Sequence, residues 1–246
     1  MEKIICKNDE EVSLYGAVLI AEQVRKNPYS ILGLATGSTP VGMYRKLVEM
    51  HQRGGLDFSG VNTFNLDEYY PIKKSSDQSY DYFMWDNLFS HINIKRENVH
   101  IPNGECLDPE KECVAYEQRM KEAGQIDIQV LGIGVNGHIG FNEPEQELKL
   151  QTHLTDLTPS TVDANSRFFS SIEEVPAKAI TMGMGSIMKA RSVLLLITGA
   201  HKAEIAAKLF SGVVTTEVPA SFLNLHPQVT VLLDEAAAAS LRAYTS

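Results

Sequence analysis

The chain has 246 residues, of which 43% are hydrophobic, and this is enough for one large buried core. A formal net charge of −9 disfavours a nucleic-acid partner, because binding along a phosphate backbone needs a clustered basic surface. No apolar stretch reaches the length of a membrane span, and residues 1–12 lack the apolar run of a signal peptide. We therefore expect a cytoplasmic protein with neither nucleic-acid nor membrane partners.

Short apolar runs alternate with longer amphipathic stretches along the chain. The predicted strands are Ser30–Thr36, Val61–Leu66, Asn98–Pro102, Ile126–Gly134, Ser192–Gly199 and Val229–Asp234. The predicted helices are Pro40–Arg53, Tyr80–Ile92, Pro109–Gly124, Ala200–Phe210 and an alanine-rich segment that closes the chain. Nearly all-apolar strands are buried on both faces, so the pattern predicts an α/β fold with a mostly parallel sheet covered by helices on both faces.

We interpret residues 1–246 as a single domain, since no repeat or long linker interrupts the pattern. The segment Glu145–Lys178 is polar and weakly periodic, which indicates a lid within residues 145–178. Ligands of parallel sheets bind at the carboxyl ends of the strands. The loops predicted at that edge are Thr36–Pro40, Asp67–Tyr70, Gly134–Pro144 and Thr198–Lys202.

The first of these loops, TGSTP, has the composition of an anion site at the start of a helix. Gly37 allows a sharp turn, and Ser38 or Thr39 can cap the helix that follows Thr36. Free N–H groups and the helix dipole would then face a phosphate. An ordinary capped turn has the same composition, so the motif alone leaves both interpretations open.

Two cations fit an anion site in the same way. Lys202 lies in the predicted first turn of a helix, where a positive charge is unfavourable unless an anion is bound. Arg167 stands beside two aromatic residues and could form a fork on a phosphate. A solvated lysine and an arginine that covers apolar surface are the plain alternatives.

Two adjacent carboxylates, Asp67 and Glu68, follow a predicted strand directly. A carboxylate in a dry cleft can have a raised pKa and act as a general base. Acidic residues are also common at helix starts, which is the alternative.

The stretch from Gly132 to Pro144, GIGVNGHIGFNEP, contains G-x-G-x-x-G after a strand. We reject a dinucleotide site, because His138, Glu143 and Pro144 occupy the place of the helix that this fingerprint requires. His138 can point into the cleft and titrates near neutral pH, and Glu143 could orient it. A loop histidine bonded to backbone is the alternative. No second histidine or cysteine stands at ligand spacing nearby, so no metal site is predicted.

Five stretches together resemble the isomerising glucosamine-6-phosphate deaminase family: LATGSTPVGMY, FNLDEYY, LGIGVNGHIGFNEP, DANSRFF and TGAHKA. The resemblance covers nearly the whole chain in the family's order and is closest to the short bacterial members. It implies a Rossmann-like sheet and conversion of glucosamine 6-phosphate and water to fructose 6-phosphate and ammonia. It also implies a role in amino-sugar catabolism and N-acetylglucosamine utilisation, with an amino-sugar phosphate as the small-molecule partner and with no cofactor and no metal.

The resemblance also implies roles for individual residues. Asp67 removes the C2 proton, and His138 opens the sugar ring with help from Glu143 and position 136. Many relatives carry Asp at that position, whereas this chain has Asn136. The residues implied in substrate and phosphate binding are Thr36, Gly37, Ser38, Thr39, Glu68, Arg167 and Lys202.

Two other functions are compatible with this general fold. The 6-phosphogluconolactonases share the GSTP-like loop, but they show Asp-Glu-Arg where Tyr69 follows Glu68 here, and their later glycine-rich stretch lacks FNEP. Sugar-phosphate-sensing domains of transcription regulators normally follow a DNA-binding helix-turn-helix, for which residues 1–30 leave little room. We therefore favour the deaminase.

Regulation is predicted from the segment just after FNEP. Longer family members are hexamers activated by N-acetylglucosamine 6-phosphate through an arginine and a lysine. His153 and Thr155 stand at those positions here, and Asp156 adds a negative charge. We therefore expect no such activation, and a monomer or small homo-oligomer.

Overall fold

A computed structural model describes residues 1–166, 169, 171 and 174–241. Its strands are β1 (Glu2–Cys6), β2 (Ile31–Leu34), β3 (Asn62–Asn65), β4 (Asp67–Tyr70), β5 (Val99–His100), β6 (Ile128–Leu131), β7 (His153–Asp156), β8 (Lys178–Thr181), β9 (Ser192–Ile197) and β10 (Val229–Asp234). Its α-helices are α1 (Asp9–Lys26), α2 (Ser38–Gln52), α3 (Tyr80–Asn87), α4 (Pro109–Ala123), α5 (Pro159–Ser166), α6 (Met184–Met188) and α7 (Ala203–Leu209).

Seven of these strands form one sheet in the order β1-β10-β9-β6-β2-β3-β5, and every pair in it is parallel. Strands β2, β9 and β10 are buried at nearly every position, on both faces of the sheet. Their apolar side chains form the main hydrophobic core with those of the helices. The predicted α/β fold with a mostly parallel, helix-covered sheet is confirmed.

Local signals set several helix boundaries. Helix α4 begins at Pro109 after the N-cap Asp108 and ends before Gly124, as the proline and glycine predict. Helix α2 begins at Ser38, two residues before the predicted start. Its N-cap is Gly37, and no side chain caps it, so the expectation of a Ser38 or Thr39 cap is wrong.

Part of the fold was not predicted. Residues Asp67–Tyr70 form β4 rather than a loop, and β4 belongs to a second sheet with the antiparallel order β4-β8-β7. The chain also enters the parallel sheet at β1, far earlier than residue 30. Residues 235–240 form turns, so the alanine-rich segment is not a helix in the described part of the chain.

Leu66 connects the two sheets. Its N–H donates to the carbonyl of Leu34 in β2 at 3.0 Å, and its carbonyl accepts from the N–H of Met182 at 2.7 Å, just beyond β8. Asp67, which follows Leu66, is therefore fixed at the point where the chain passes from the parallel sheet into the antiparallel one. None of the helices within the described residues is long and apolar enough to cross a membrane.

Candidate active site

The polar loops predicted to carry the chemistry meet at one edge of the parallel sheet. They follow β2, β3, β6 and β9, and these four strands are neighbours in the order β9-β6-β2-β3. Because the strands are parallel, their carboxyl ends lie side by side. The direction of strand addition reverses between β2 and β6, which is the position where open α/β sheets bind ligands.

Three side chains of the loop after β6 form a compact hydrogen-bonded group. Oε2 of Glu143 accepts from Nδ2 of Asn136 at 2.6 Å, and Nδ1 of His138 lies 3.2 Å from the same oxygen. Oδ1 of Asn136 also accepts from the backbone N–H of His138 at 3.2 Å. Asn136 therefore holds both the histidine backbone and the carboxylate that contacts its ring.

Glu143 is ionised despite its burial. Its side chain is 2% exposed. Burial opposes ionisation, but hydrogen bonds and charge from His138, with further hydrogen bonds from Thr161 and Asn136, outweigh it and lower the pKa of Glu143 to about 2. An ionised carboxylate can only accept, so the Nδ1 atom of His138 must carry a proton.

Asp67 begins β4 and is 5% exposed. Burial, and then the charge of the neighbouring Glu68, raise the pKa of Asp67 to about 8. Once ionised there, the carboxylate is a much stronger base than an exposed aspartate.

The histidine loop is packed directly against Asp67. A Cβ atom added to Gly140 would lie 3.4 Å from Oδ2 of Asp67 and 2.8 Å from Oγ1 of Thr181. Gly140 also has a φ of 58°, which favours glycine. The close approach and the left-handed backbone therefore both require a residue without a side chain at this position.

Further hydrogen bonds tie the loop to β8. The N–H of Phe141 donates to Oγ1 of Thr181 at 3.1 Å, and Thr181 is the β8 residue that pairs with Asp67. Asn142 donates from Nδ2 to the carbonyl of Met182 at 2.8 Å. These contacts hold the Glu143 and His138 loop in a fixed relation to Asp67.

Glu68 faces helix α3 through both of its oxygens. Oε1 accepts from the N–H groups of Tyr69 and Tyr80, and Oε2 accepts from that of Asp81, each at 2.9 Å. Burial raises the pKa of Glu68 to about 7, although these three N–H groups oppose the rise. The structure thus places the side chain of Glu68, in β4, against the first N–H groups of α3, and its predicted part in substrate binding stays a prediction.

The predicted phosphate residues come from two loops at this edge. Gly37 has a φ of 93° and turns the chain from β2 into the first turn of α2, whose N–H groups begin at Ser38 and Thr39. Lys202 follows β9, and its Nζ donates to the carbonyl of Ile133, after β6, at 2.7 Å. Arg167 lies outside the described residues.

Two threonines at Glu143 were not among the sequence predictions. Thr161 in α5 donates its hydroxyl to Oε1 of Glu143, and the hydroxyl of Thr158 lies 3.3 Å from the same oxygen. Both belong to the polar segment 145–178, where a threonine carries no local signal of a role. The described residues hold no group of three or more His, Cys, Asp or Glu side chains placed to bind a metal.

Comparison with known proteins gives a consistent result. Residues 10–232 match the family described as "Glucosamine-6-phosphate isomerases/6-phosphogluconolactonase". A glucosamine-6-phosphate deaminase of Thermoanaerobacter pseudethanolicus is 55% identical over 238 residues, which cover 97% of this chain and 94% of that protein. A glucosamine-6-phosphate deaminase of Clostridium perfringens is 52% identical over 242 residues, which cover 98% of this chain and 100% of that protein.

Solved structures of the two enzymes differ in how similar they are to this chain. A monomeric glucosamine-6-phosphate deaminase superposes with a TM-score of 0.96 at 45% identity, covering 98% of this chain and 100% of that one. The 6-phosphogluconolactonase of Thermotoga maritima gives a TM-score of 0.76 at 23% identity, covering 95% of this chain and 98% of that one. The second likeness is one of fold alone.

Proposed function

This chain belongs to the glucosamine-6-phosphate deaminase family, and we propose that its reaction takes place at the sheet edge between Asp67 and His138. The reaction converts glucosamine 6-phosphate and water to fructose 6-phosphate and ammonia. One observation carries the assignment of the site: an ionised Glu143 holds Nδ1 of His138 in a loop that is hydrogen-bonded to Thr181, the strand partner of the buried Asp67.

His138 opens the sugar ring in this proposal. With a proton fixed on Nδ1 by Glu143, the neutral ring has its lone pair on Nε2. Nε2 can then take the proton of the anomeric hydroxyl and return it to the ring oxygen as the bond between C1 and that oxygen breaks. Asn136 assists by holding the Glu143 carboxylate and the His138 backbone.

Asp67 moves the proton that converts the aldose into the ketose. The open-chain aldehyde makes the C2 hydrogen acidic, and ionised Asp67 removes it as the C1 carbonyl oxygen takes a proton from solvent, which gives an enolamine. Return of the proton to C1 leaves an imine at C2. Water adds to this imine carbon, and ammonia is expelled as the C2 ketone forms. Burial supports this role because it makes the Asp67 carboxylate strongly basic.

The phosphate of the substrate is bound by the TGSTP loop, Arg167 and Lys202. The N–H groups at the start of the 15-residue helix α2 supply donors and a favourable dipole. Lys202 supplies a positive charge from the loop after β9, next to the loop that carries His138.

A lid and a monomeric state complete the proposal. We place the lid within residues 145–178, of which β7 and the start of β8 are paired in the second sheet. Closure over the sugar would exclude water from Asp67. We take the chain to act as a single domain and as a monomer, by likeness to the monomeric deaminase structure.

One comparison of activities tests the function. Ammonia release from glucosamine 6-phosphate and hydrolysis of 6-phosphogluconolactone should be measured on the same enzyme preparation. We expect ammonia release that is lost in His138→Gln. Lactone hydrolysis without ammonia release would overturn the proposal. Light scattering tests the monomer, and a hexamer would contradict it.

A further inference from the structure

We propose that Thr161 is a positioning residue for the deaminase reaction, acting through Glu143 on the tautomer and orientation of His138. This inference deepens the proposed function and rests on it. It concerns a hydroxyl on α5, 18 residues beyond the carboxylate it binds.

The two oxygens of Glu143 are held from different parts of the chain. Oε2 is bound by Asn136 and His138, which belong to the same loop as Glu143. Oε1 is bound by Thr161. Bonds at Oε2 alone would leave the carboxylate free to rotate about its last side-chain torsion, which is broad in glutamate. The bond at Oε1 removes that freedom.

Thr161 is itself fixed. It is 5% exposed, and its N–H donates to the carbonyl of Thr158 at 2.9 Å. The hydroxyl of Thr158 also lies 3.3 Å from the Thr161 N–H, in the manner of an N-cap for α5. The threonine hydroxyl therefore meets Glu143 from a rigid helix start rather than from a freely turning side chain.

The contact lengths indicate which of the two threonine hydroxyls is the main donor to Glu143. Thr158 has one proton, and its oxygen lies 3.1 Å from that of Thr161 and 3.3 Å from Oε1 of Glu143. Thr161 makes the shorter contact with the carboxylate and is buried, so it is the principal donor. With Thr158 donating to Thr161, the two hydroxyls form a chain that ends on Glu143.

The consequence for the reaction follows from the tautomer. An ionised, fixed Glu143 requires the proton of neutral His138 to be on Nδ1 and leaves Nε2 as the acceptor for ring opening. If the carboxylate turns away, the proton can move to Nε2, and that tautomer cannot take the anomeric proton. Loss of Thr161 should therefore lower turnover much more than substrate affinity.

Three variants test this on the whole enzyme. Thr161→Val removes the hydroxyl at almost constant volume, and Thr161→Ser keeps it. Thr155→Val is the matched control on β7, where the hydroxyl donates to the carbonyl of Asp156 instead. We expect Thr161→Val to lower kcat by about 10-fold or more with KM within about 3-fold, because a hydrogen bond to a buried charge is lost. Thr161→Ser and Thr155→Val should stay within about 3-fold of the parent enzyme in both constants.

A second measurement separates positioning from general damage to the structure. Nitrogen-15 NMR of histidine-labelled enzyme, with the His138 signals assigned by their loss in His138→Gln, reports the tautomer. We expect Nδ1–H in the parent and in Thr161→Ser, and a mixture with Nε2–H in Thr161→Val. Thr161→Ala replaces Thr161→Val if the valine variant does not fold.

These measurements distinguish failure of the role proposed for Thr161 from failure of the proposed function. Unchanged kcat together with an unchanged His138 tautomer in Thr161→Val would overturn the role of Thr161, as would a loss of kcat with the tautomer intact. If the parent enzyme released no ammonia, the proposed function would fail, whereas the tautomer comparison would still decide whether Thr161 controls His138.

Discussion

Asn136 donates a hydrogen bond of 2.6 Å to Oε2 of Glu143, the oxygen that also lies 3.2 Å from Nδ1 of His138. The amide thus meets a carboxylate that is already ionised. A neutral donor at position 136 stabilises that charge, whereas an aspartate there would either share a proton with it or repel it.

Asn136→Asp should therefore introduce a new pH dependence. At low pH the two carboxylates would share one proton and keep the geometry, and at higher pH that proton would be lost and the charges would separate. We expect the ratio of kcat/KM for the variant to that of the parent to fall as pH rises from 6 to 9. A ratio that stays constant over this range would contradict the assigned role of Asn136.

The raised pKa of Asp67 predicts the acidic limb of the activity profile. A base must be ionised to act, so kcat/KM should rise with pH as Asp67 loses its proton near pH 8 in the free enzyme. The charge of Glu68 is the second cause of this high pKa. Glu68→Gln should therefore move the limb to lower pH, and a limb that moves upward would argue against Asp67 as the titrating group.

Replacing Asp67 with asparagine should abolish activity but stabilise the folded protein. The folded protein holds the Asp67 proton up to about pH 8, whereas the ordinary pKa of an aspartate is 3.8, so stability falls as pH rises between these two values. Neutral Asn avoids burying a charge. Asp67→Asn should raise the free energy of unfolding at pH 8 by about 1–3 kcal/mol, and the gain should vanish near pH 4. Urea denaturation at both pH values measures this.

The same variant should lose deamination and exchange of the C2 hydrogen with solvent deuterium. Asp57→Asn is a control for the stability measurement, since Asp57 is an exposed carboxylate whose pKa is lowered by the Ser59 N–H and the Asn93 amide. It should give no gain at pH 8. Normal C2 exchange in Asp67→Asn would identify another group as the base.

Lys202→Ala tests phosphate binding apart from chemistry. The lysine charge lies beside the Ile133 carbonyl at the carboxyl edge of the sheet. If it binds the phosphate, affinity for fructose 6-phosphate should weaken by about 1.5–3 kcal/mol, as expected for a charged hydrogen bond. Lys208→Ala, an exposed lysine on the same chain segment in α7, should leave affinity unchanged in the same calorimetric titration. Equal affinities for both variants would remove Lys202 from the site.

Activation by N-acetylglucosamine 6-phosphate should be absent. Burial lowers the pKa of His153, so this side chain is neutral at pH 7, and the amine of Lys178 is paired with Asp156 at 2.9 Å. Strands β7 and β8 therefore keep little unpaired positive charge at these positions. Without it, a phosphate would not bind one conformational state of the enzyme more tightly than another. Velocity curves should be hyperbolic with or without the N-acetylated sugar phosphate. Sigmoidal curves that become hyperbolic on its addition would refute this.

The elements that could be predicted from the sequence are those with a clear local pattern of apolar residues or of helix start and stop residues. Strands such as β9 are apolar at every position after Ser192 because both faces are buried, and α4 carries its own proline, N-cap and terminal glycine. The second sheet lacks such a pattern. Its strands are four residues long and mostly polar. Strand β4 forms by pairing with β8, and in that pairing Asp67 is opposite Thr181, more than a hundred residues later in the chain. Pairing over that distance cannot be read from local composition.

The same distinction applies to the site. His138 and Glu143 stand five residues apart in one loop, so their contact could be anticipated from the sequence. The hydroxyl of Thr161 reaches Glu143 only because α5 folds back over that loop. The contact of Glu68 with the start of α3 could not be predicted, because the sequence does not distinguish an acidic residue near a helix start from one in a binding site.

The register of β1 has a consequence for the way the chain is made. Residues Glu2–Cys6 pair with residues 230–234, and β10 stands between β1 and β9. A nascent chain therefore carries β1 without its partner until residues 229–234 have been synthesised, and this half of the sheet can be completed only then. Growing chains should expose β1 and the unsatisfied edge of β9 until β10 is available. Assembly of this half of the sheet therefore waits for β10, and chaperones that bind unpaired strands can act during that interval.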